Sequence, residues 1–244
     1  MMKTVPGVLL PSPWHKTPKI LECPKTILVP PGMESNARTF LNKGKIYISK
    51  SSPQCVLDAY SYQFKEDFSL FLRSRSEEIV GGGRMVLSFM GRTSSDPTTE
   101  ESCYQWELLA TALMCMVSQG LIEEEKVDSF NAPYYAPCPE ELKVEIEKEG
   151  SFSLEGLEAF PVAWDGDAVE ADYLQYTTVV ELSRVRGQRV AKTIRAVVES
   201  MLETHFGTHI LDDLFRIYQD LVADYLSNTS TTYINLVISL IRRE

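Results

Sequence analysis

The chain has 244 residues, of which 44% are hydrophobic and 24% charged, a composition typical of globular rather than disordered proteins. Its 34 Asp and Glu residues outnumber its 24 Lys and Arg residues, and this formal charge of −10 argues against nucleic-acid binding. No apolar run reaches the length of about 18 residues that a membrane-spanning helix needs. The five cysteines form no CxxC pair, which argues against a disulfide framework or a structural zinc site and favours a cytoplasmic location.

The first residues differ from the rest of the chain. Residues 1–31 contain seven of the thirteen prolines and show no lasting helical or strand period. The apolar run at residues 8–10 is too short for a signal peptide, and prolines flank it on both sides. We therefore expect residues 1–28 to be a disordered leader.

The next segment predicts a strand followed by a long helix. Residues 44–49 (GKIYIS) have the composition of a short strand. Ser52 and Pro53 are suited to the N-cap and the first turn of a helix. Apolar residues at spacings of three and four then predict an amphipathic helix over about 53–79, and the glycines at 81–83 would end it.

The middle of the chain predicts a second strand and two more helices. The apolar run at 85–90 (MVLSFM) is typical of a buried strand. Thr98 and Glu101 have the spacing of a capping box, which predicts a helix over about 99–118. A charged helix is predicted over 139–150, between an initial proline and a final glycine.

The C-terminal part predicts two strands that flank two helices. Phe152 and Leu154 alternate with polar residues, as in a strand. Helices are predicted around 190–202 and 210–225. The nearly continuous β-branched run at 233–241 predicts a final strand that is covered on both faces.

Helices and strands alternate along the chain, which predicts an α/β fold. The prediction yields about three sheet strands for six helices. A sheet of three strands is small and leaves a long open edge. We therefore expect that further strands of this sheet belong upstream of the start of the chain.

Three segments, residues 88–109 (SFMGRTSSDPTTEESCYQWELL), 120–135 (GLIEEEKVDSFNAPYY) and 237–243 (VISLIRR), together suggest a family. They resemble the plant SABATH family of S-adenosylmethionine-dependent methyltransferases, in particular the carboxyl methyltransferases that act on jasmonate, salicylate or benzoate. The resemblance implies a methyltransferase domain over residues 29–244. Its fold would be the C-terminal part of a Rossmann-like class I methyltransferase sheet, with an α-helical cap at about 92–150.

The resemblance implies a reaction that needs no catalytic side chain. The family transfers a methyl group from S-adenosylmethionine to the carboxylate of a small acid and forms a methyl ester. A carboxylic acid with a pKa of about 4–5 is already ionised at pH 7. Catalysis would then depend on alignment of the reacting atoms and exclusion of water, so we assign no general base or nucleophile.

A flat or aliphatic acid needs an apolar, aromatic-walled slot. The resemblance assigns the walls of this slot to six residues: Gln105, Trp106, Tyr135, Ile194, Val197 and Tyr233. The residues by themselves leave a structural alternative open. The side chains on the apolar helix faces would otherwise be core, the tyrosine after Pro133 would pack its loop, and the tyrosine at the strand start would lie at a sheet edge.

The resemblance also implies a Mg²⁺ position formed by the side chains of Asn42, Asp128 and Asn131 and the carbonyl of Phe130. All four are oxygen donors, as Mg²⁺ prefers. One carboxylate is few for a tight site, so we expect a structural rather than a catalytic ion. The alternative is that Asp128 and Asn131 bond to backbone groups of their own loops.

Two functions stay open at this stage. SABATH proteins hold their cofactor-binding loops, and the residues that grip the substrate carboxylate, in an N-terminal part that has no counterpart here. We therefore assign no cofactor-binding residue. The first function is methylation of a small carboxylic acid, with a possible homodimer as the assembly. The second is a truncated, non-catalytic family member that cannot bind the cofactor and is either inert or pairs with a full-length relative.

Overall fold

The computed structural model describes residues 30, 33, 40–165, 178–229 and 231–244, so the predicted leader at 1–28 lies outside the described residues. The described residues form six α helices, a short 3₁₀ helix at Thr208–Ile210 and one three-stranded sheet. The helices are α1 (Gln54–Glu78), α2 (Glu100–Ser118), α3 (Glu124–Ser129), α4 (Pro139–Glu149), α5 (Val179–Phe206) and α6 (Leu211–Asn228). The strands are β1 (Arg84–Gly91), β2 (Phe152–Ala163) and β3 (Thr232–Arg242).

The last strand of the chain lies at the centre of the sheet. The strand order is β1-β3-β2, and β3 runs antiparallel to both neighbours. Leu87 of β1 and Leu157 of β2 both lie opposite Ile238 of β3, so the three side chains share one face. The mixture of helices packed on this sheet confirms the predicted α/β class.

Two hydrophobic clusters stabilise the fold. The sheet core lies between one face of the sheet and helices α1 and α4, and its buried members are Phe68, Leu72, Leu142, Ile146, Phe152, Ile234, Leu236, Ile238 and Leu240. The helical core is built by α2, α5 and α6, with the N-terminal part of α1 and the segments 46–48 and 127–132. The sheet core and the helical core share no residue and lie in different parts of the fold.

Residues 44–49 do not form the predicted strand. Ile46, Tyr47 and Ile48 are buried, as in a strand, but their backbone groups bond outside any sheet. The carbonyl of Tyr47 accepts from the side-chain amide of Asn42 at 2.9 Å, and the carbonyl of Ile46 accepts from the backbone N–H of Ala132 at 2.6 Å. Loop contacts therefore replace the strand pairing that the composition suggested.

The predicted burial of the strands is also partly wrong. Every second residue of β1 is exposed, and Val86 has 67% of its surface exposed. In β3, residues of the sheet-core face are buried, whereas those of the other face are only half-buried. The second face of the sheet is thus open among the described residues, although its apolar composition predicted a cover.

Two predicted helix caps are wrong, although the helices are present. The hydroxyl of Ser52 donates to Asn42 at 2.7 Å instead of capping α1, which follows Pro53. The Glu101 carboxylate accepts from the backbone N–H and the hydroxyl of Thr93 and forms no capping box with Thr98. By contrast, α4 begins and ends as predicted, and Gly150 takes the positive φ of 85° that ends it.

None of the described helices is long and apolar enough to cross a membrane.

Candidate functional site

A cavity of about 250 Å³ lies between α2, α5, the start of β3 and the loop before α4. It is the point where the helical core meets the sheet. Twelve residues line it: Met90, Gln105, Trp106, Leu109, Pro133, Tyr134, Thr193, Ile194, Val197, Val198, Met201 and Tyr233. This described lining contains no Asp, Glu, Lys, Arg or His, so no charged side chain faces a ligand there.

Helical periodicity explains most of the lining. Residues 105 and 106 of α2 lie on the same face as residue 109, because each precedes it by about one turn. Residues 193, 194, 197, 198 and 201 of α5 form a second such face. Two amphipathic helices therefore present their apolar faces to the same space, and the strand β3 adds Tyr233 at one side.

Five of the six predicted substrate residues are brought together around this cavity: Gln105, Trp106, Ile194, Val197 and Tyr233. Tyr135 lies outside the lining. Its ring stacks on Phe64 at 4.9 Å, and its hydroxyl donates to Glu141 at 2.6 Å. The tyrosine that lines the cavity is Tyr134, one residue earlier in the same loop.

The sequence reasoning missed other lining residues. Met201 follows Val197 by one helical turn, so an extension of the α5 pattern would have found it. Pro133 and Tyr134 belong to a loop without a period, and Met90 belongs to a strand with an open face. Only the tertiary structure identifies these three as neighbours of the cavity.

Three lining residues hold buried polar atoms that have no hydrogen-bond partner among the described residues. They are the indole nitrogen Nε1 of Trp106, the amide oxygen Oε1 of Gln105 and the hydroxyl of Tyr233. A buried polar atom without a partner costs about 1–3 kcal/mol. Atoms of this kind on three lining residues favour a polar ligand group or an ordered water as their partner.

The tyrosine hydroxyls at the cavity are neutral donors. Burial raises the pKa of both Tyr134 and Tyr233 well above the usual range of tyrosine. Both hydroxyls therefore stay protonated at physiological pH. The Trp106 indole is a donor only and also never ionises in this range. The described lining can thus supply hydrogen bonds to an anion.

Some of the residues predicted to hold Mg²⁺ are brought together in the structure. The loop of Asn42 reaches Asp128, because the backbone N–H of Gly44 donates to Asp128 Oδ1 at 2.7 Å. The oxygen of Asn42 accepts from Ser52, whereas Oδ1 of Asn131 is buried and has no partner among the described residues. No group of three or more His, Cys, Asp or Glu within the described part of the chain could hold a metal ion. Two of the four predicted oxygens thus already accept hydrogen bonds, from Gly44 and Ser52, and the set contains a single carboxylate.

The described residues supply no evident cradle for S-adenosylmethionine. Dinucleotide-type sites in α/β folds use a glycine-rich turn between a strand and a helix. After β1 the chain enters α2 through residues 92–99, which contain no glycine. We therefore assign no residue of the described chain to the cofactor.

Comparison with known proteins identifies the class. The sequence model of the S-adenosylmethionine-dependent carboxyl methyltransferase family matches residues 28–243, and the chain belongs to this family. The predicted membership in the SABATH group is thereby confirmed.

Among its relatives is a probable jasmonic acid carboxyl methyltransferase 2 of Theobroma cacao, 64% identical over 88% of this chain and 57% of the relative. The jasmonate O-methyltransferase of Arabidopsis thaliana is 56% identical over 82% of this chain and 52% of its own length. The salicylate carboxymethyltransferase of Clarkia breweri is 46% identical over 88% and 56%. The chain thus spans little more than half the length of these relatives.

A solved structure of loganic acid methyltransferase with SAH is similar in fold, with a TM-score of 0.73 and 32% sequence identity. The match covers 89% of this chain and 58% of that one. The predicted fold class, the C-terminal part of a Rossmann-like methyltransferase sheet with helices packed on it, is confirmed by this match.

Proposed function

We propose that this chain forms the acid-binding part of an S-adenosylmethionine-dependent carboxyl methyltransferase that converts a small plant acid into its methyl ester. The observation that carries the proposal is the apolar cavity, with the unpartnered indole N–H of Trp106 in its wall. A carboxylate is the group that most needs such a donor. A hydrogen bond to a charged group contributes about 1.5–3 kcal/mol, more than a neutral one.

The size and lining of the cavity support a small acid with an apolar body. A volume of about 250 Å³ is below the range of about 300–1,000 Å³ that holds drug-sized ligands. Leu109, Ile194 and Val197 offer aliphatic surface to such a body. Trp106 and Tyr134, whose ring centroids are 5.1 Å apart, offer aromatic surface.

Jasmonate is the first acid to test, followed by salicylate and benzoate. Two relatives whose names refer to jasmonate are 64% and 56% identical to this chain, whereas the salicylate relative is 46% identical. Small differences in pocket side chains can change preference between such acids by about 10–200-fold. The ranking of the three acids is therefore part of the test.

The residues of this chain would act by binding and alignment. The acid is ionised at pH 7, so no residue has to remove a proton. Trp106 would hold one carboxylate oxygen in place, while the apolar walls keep water from competing for it. S-adenosylmethionine, when bound, supplies an electrophilic methyl group.

A Mg²⁺ ion is a further proposal. Asp128, Asn131, Asn42 and the Phe130 carbonyl provide oxygen donors near the helical core, and the unpartnered Oδ1 of Asn131 supports an ion there. We propose a structural ion, because the described lining of the cavity includes none of these residues. A homodimer, pairing with a longer relative and a cytoplasmic location stay predictions.

Calorimetric titration of the purified chain tests the proposed function. Jasmonate, salicylate and benzoate are titrated separately, with methyl jasmonate as the control that keeps the body but lacks the charge. We expect jasmonate to bind and methyl jasmonate to bind at least tenfold more weakly, because it loses the charge-assisted hydrogen bond. Equal affinities for the two would contradict carboxylate recognition.

A second titration, with S-adenosylmethionine, separates the two functions that the sequence left open. Binding of both acid and cofactor, followed by detection of methyl jasmonate by mass spectrometry, supports the enzyme. Binding of acid without cofactor supports a non-catalytic role for this chain alone. Absence of acid binding by a folded chain would refute the proposed function.

A further inference from the structure

We propose that Arg92 is a positioning residue for the acid-binding cavity: its ion pair with Glu141, in which the arginine is buried and the carboxylate half-buried, holds the loop of residues 132–138 so that Pro133 and Tyr134 form a wall of that cavity. The inference rests on the proposed acid binding. Arg92 does not line the cavity itself, and the proposed mechanism makes no use of its charge.

The side chain of Arg92 is enclosed, with 1% of its surface exposed, and it bonds to two backbone carbonyls and to the side chains of Tyr135 and Glu141. Its guanidinium donates to the carbonyl of Ala136 and, at 3.3 Å, to the carbonyl of Ser95. Its own backbone N–H donates to the carbonyl of Pro137 at 3.0 Å. The end of strand β1 is therefore fastened to the loop at two successive residues, Ala136 and Pro137.

Glu141, in the first turn of α4, completes this attachment. Its carboxylate lies 2.9 Å from Nη2 of Arg92 and accepts from the backbone N–H of Cys138 at 2.9 Å. The hydroxyl of Tyr135 donates to the same carboxylate at 2.6 Å, and the guanidinium lies 5.2 Å from the Tyr135 ring centroid. Burial and this bond to Glu141 raise the pKa of Tyr135 to about 12, so the hydroxyl keeps the proton that it donates. One ion pair thus connects residues 135, 136 and 138.

Close packing leaves the loop little freedom to shift on β1. A Cβ atom at Gly91 would lie 2.6 Å from the carbonyl oxygen of Pro137, nearer than a real side chain could approach. Glycine at this position therefore allows the loop backbone to lie directly against the strand.

The bonds that join Arg92 and Glu141 to residues 135–138 lie between two walls of the cavity. Met90, two residues before Arg92, lines the cavity from the strand, whereas Pro133 and Tyr134 line it from the loop. The ring of Tyr134 is 5.1 Å from that of Trp106, the proposed carboxylate donor. A shift of the loop relative to β1 would therefore change the gap in which the acid lies.

Stability alone does not account for the burial of a charged arginine at this place. Removing a charge from water is costly, and replacement of a buried ion pair by apolar residues of similar size is often neutral or stabilising. Nε of Arg92 also lacks a hydrogen-bond partner among the described residues. The planar guanidinium of arginine, however, has N–H donors in fixed directions and can orient several carbonyl groups at once, which an apolar side chain cannot do.

The test compares Arg92→Met with Arg242→Met in the full chain. Arg242 is a matched control at the opposite end of the sheet, where its guanidinium donates to the carbonyls of Ser76 and Ser151 at 3.0 and 3.2 Å. We expect Arg92→Met to weaken jasmonate binding about tenfold, because a displaced loop misplaces the cavity wall. Arg242→Met is expected to lower the urea midpoint without changing jasmonate affinity.

Two more variants make the test robust. Arg92→Lys keeps the positive charge but lacks the planar guanidinium with its several N–H donors. We expect its jasmonate affinity to lie between those of wild type and Arg92→Met. Glu141→Gln keeps the shape of the partner without its charge and is measured if Arg92→Met does not fold. Unchanged jasmonate affinity in the folded variants, or an equal loss in Arg242→Met, would overturn the inference.

Hydrogen–deuterium exchange gives a readout that does not depend on the acid. We expect Arg92→Met to accelerate exchange of the loop amides at Tyr134, Tyr135 and Cys138, while Arg242→Met leaves them unchanged. If wild type binds no acid, the proposed function fails and the positioning role is judged on exchange alone. Unaltered exchange of these amides in Arg92→Met then overturns it.

Discussion

The sheet core and the helical core differ in the polar atoms that they bury. No residue of the sheet core holds any of the buried polar atoms that lack a partner among the described residues. Most of these atoms lie in or beside the helical core, on Gln105, Trp106, Asn131, Trp164, Tyr218 and Tyr233. Unpaired polar atoms are costly in a region that only stabilises the fold. Three of these atoms belong to residues that line the cavity, namely Gln105, Trp106 and Tyr233. We therefore treat the cavity, and not the sheet core, as the candidate binding region.

The aromatic contacts show the same difference. Around the cavity, Trp106 and Tyr134 contact Tyr47, and Trp164 stacks on Tyr233 at 5.5 Å. Such rings combine an apolar face with a polar tip, which suits a site that holds an acid with a hydrophobic body. The predictions below separate the two cores by asking which changes affect stability and which affect binding.

The largest expected effect is on stability, from Ile238→Ala in the sheet core. Ile238 is fully buried at the centre of β3, and its truncation leaves a cavity there. We expect the free energy of unfolding, measured with urea, to fall by about 3 kcal/mol. Jasmonate affinity of the folded protein should stay at the wild-type value. A loss of affinity as large as that of a cavity variant would mean that the two cores are not separable.

The next effect concerns binding. Trp106→Phe removes the indole N–H but keeps an aromatic ring, and we expect jasmonate affinity to fall by about 2 kcal/mol, or roughly 30-fold. Trp164→Phe is the matched control, because its buried Nε1 also lacks a partner but its residue does not line the cavity. Calorimetry should show an affinity close to wild type for this control. Equal losses in both variants would assign Trp106 to packing alone.

A smaller effect is expected from two tyrosine hydroxyls. Tyr233→Phe and Tyr218→Phe each remove a buried hydroxyl without a partner, so each should raise the unfolding free energy of the ligand-free chain by about 1 kcal/mol. Only Tyr233 lines the cavity. We therefore expect jasmonate to stabilise Tyr233→Phe less than wild type, and Tyr218→Phe as much as wild type, in thermal melts. An unaltered ligand effect in Tyr233→Phe would remove its hydroxyl from the site.

The smallest expected effect is that of Mg²⁺. At a concentration near its dissociation constant, a bound ion stabilises a protein by about 0.4 kcal/mol. Asp128→Asn keeps an oxygen for the N–H of Gly44 but removes the only carboxylate of the proposed set. We expect Mg²⁺ to raise the melting temperature of wild type slightly and that of this variant not at all. The same increase in both would indicate nonspecific binding.

Prediction from sequence succeeded where signals were local. Pro139 and Gly150 correctly marked the ends of α4, because a first-turn proline and a left-handed glycine act within one turn of helix. It failed at residues 44–49, where composition suggested a strand. The backbone there bonds to Asn42 and Ala132, a loop partner more than eighty residues away that composition cannot reveal.

The candidate site, like the fold, could be predicted from the sequence only in part. The family resemblance led to five of the residues that line the cavity, whereas the helical period of α5 left core packing open for Ile194 and Val197. The choice between Tyr134 and Tyr135 could not be made from sequence, since adjacent loop residues share composition and have no period. In the structure, Tyr135 is held by Glu141 and Arg92, and Tyr134 faces the cavity.

The sequence by itself determined the family of this protein, the positions of its principal helices and, through the resemblance, five of the twelve residues that line the cavity. These depend on spacings of three or four residues and on whole segments that relatives share. Only the tertiary structure decided that β1 has an open face, that Tyr134 rather than Tyr135 lines the cavity, and that Arg92 is buried against Glu141. Those outcomes depend on which distant elements pack together, and the free energy of such contacts is not encoded in any local pattern.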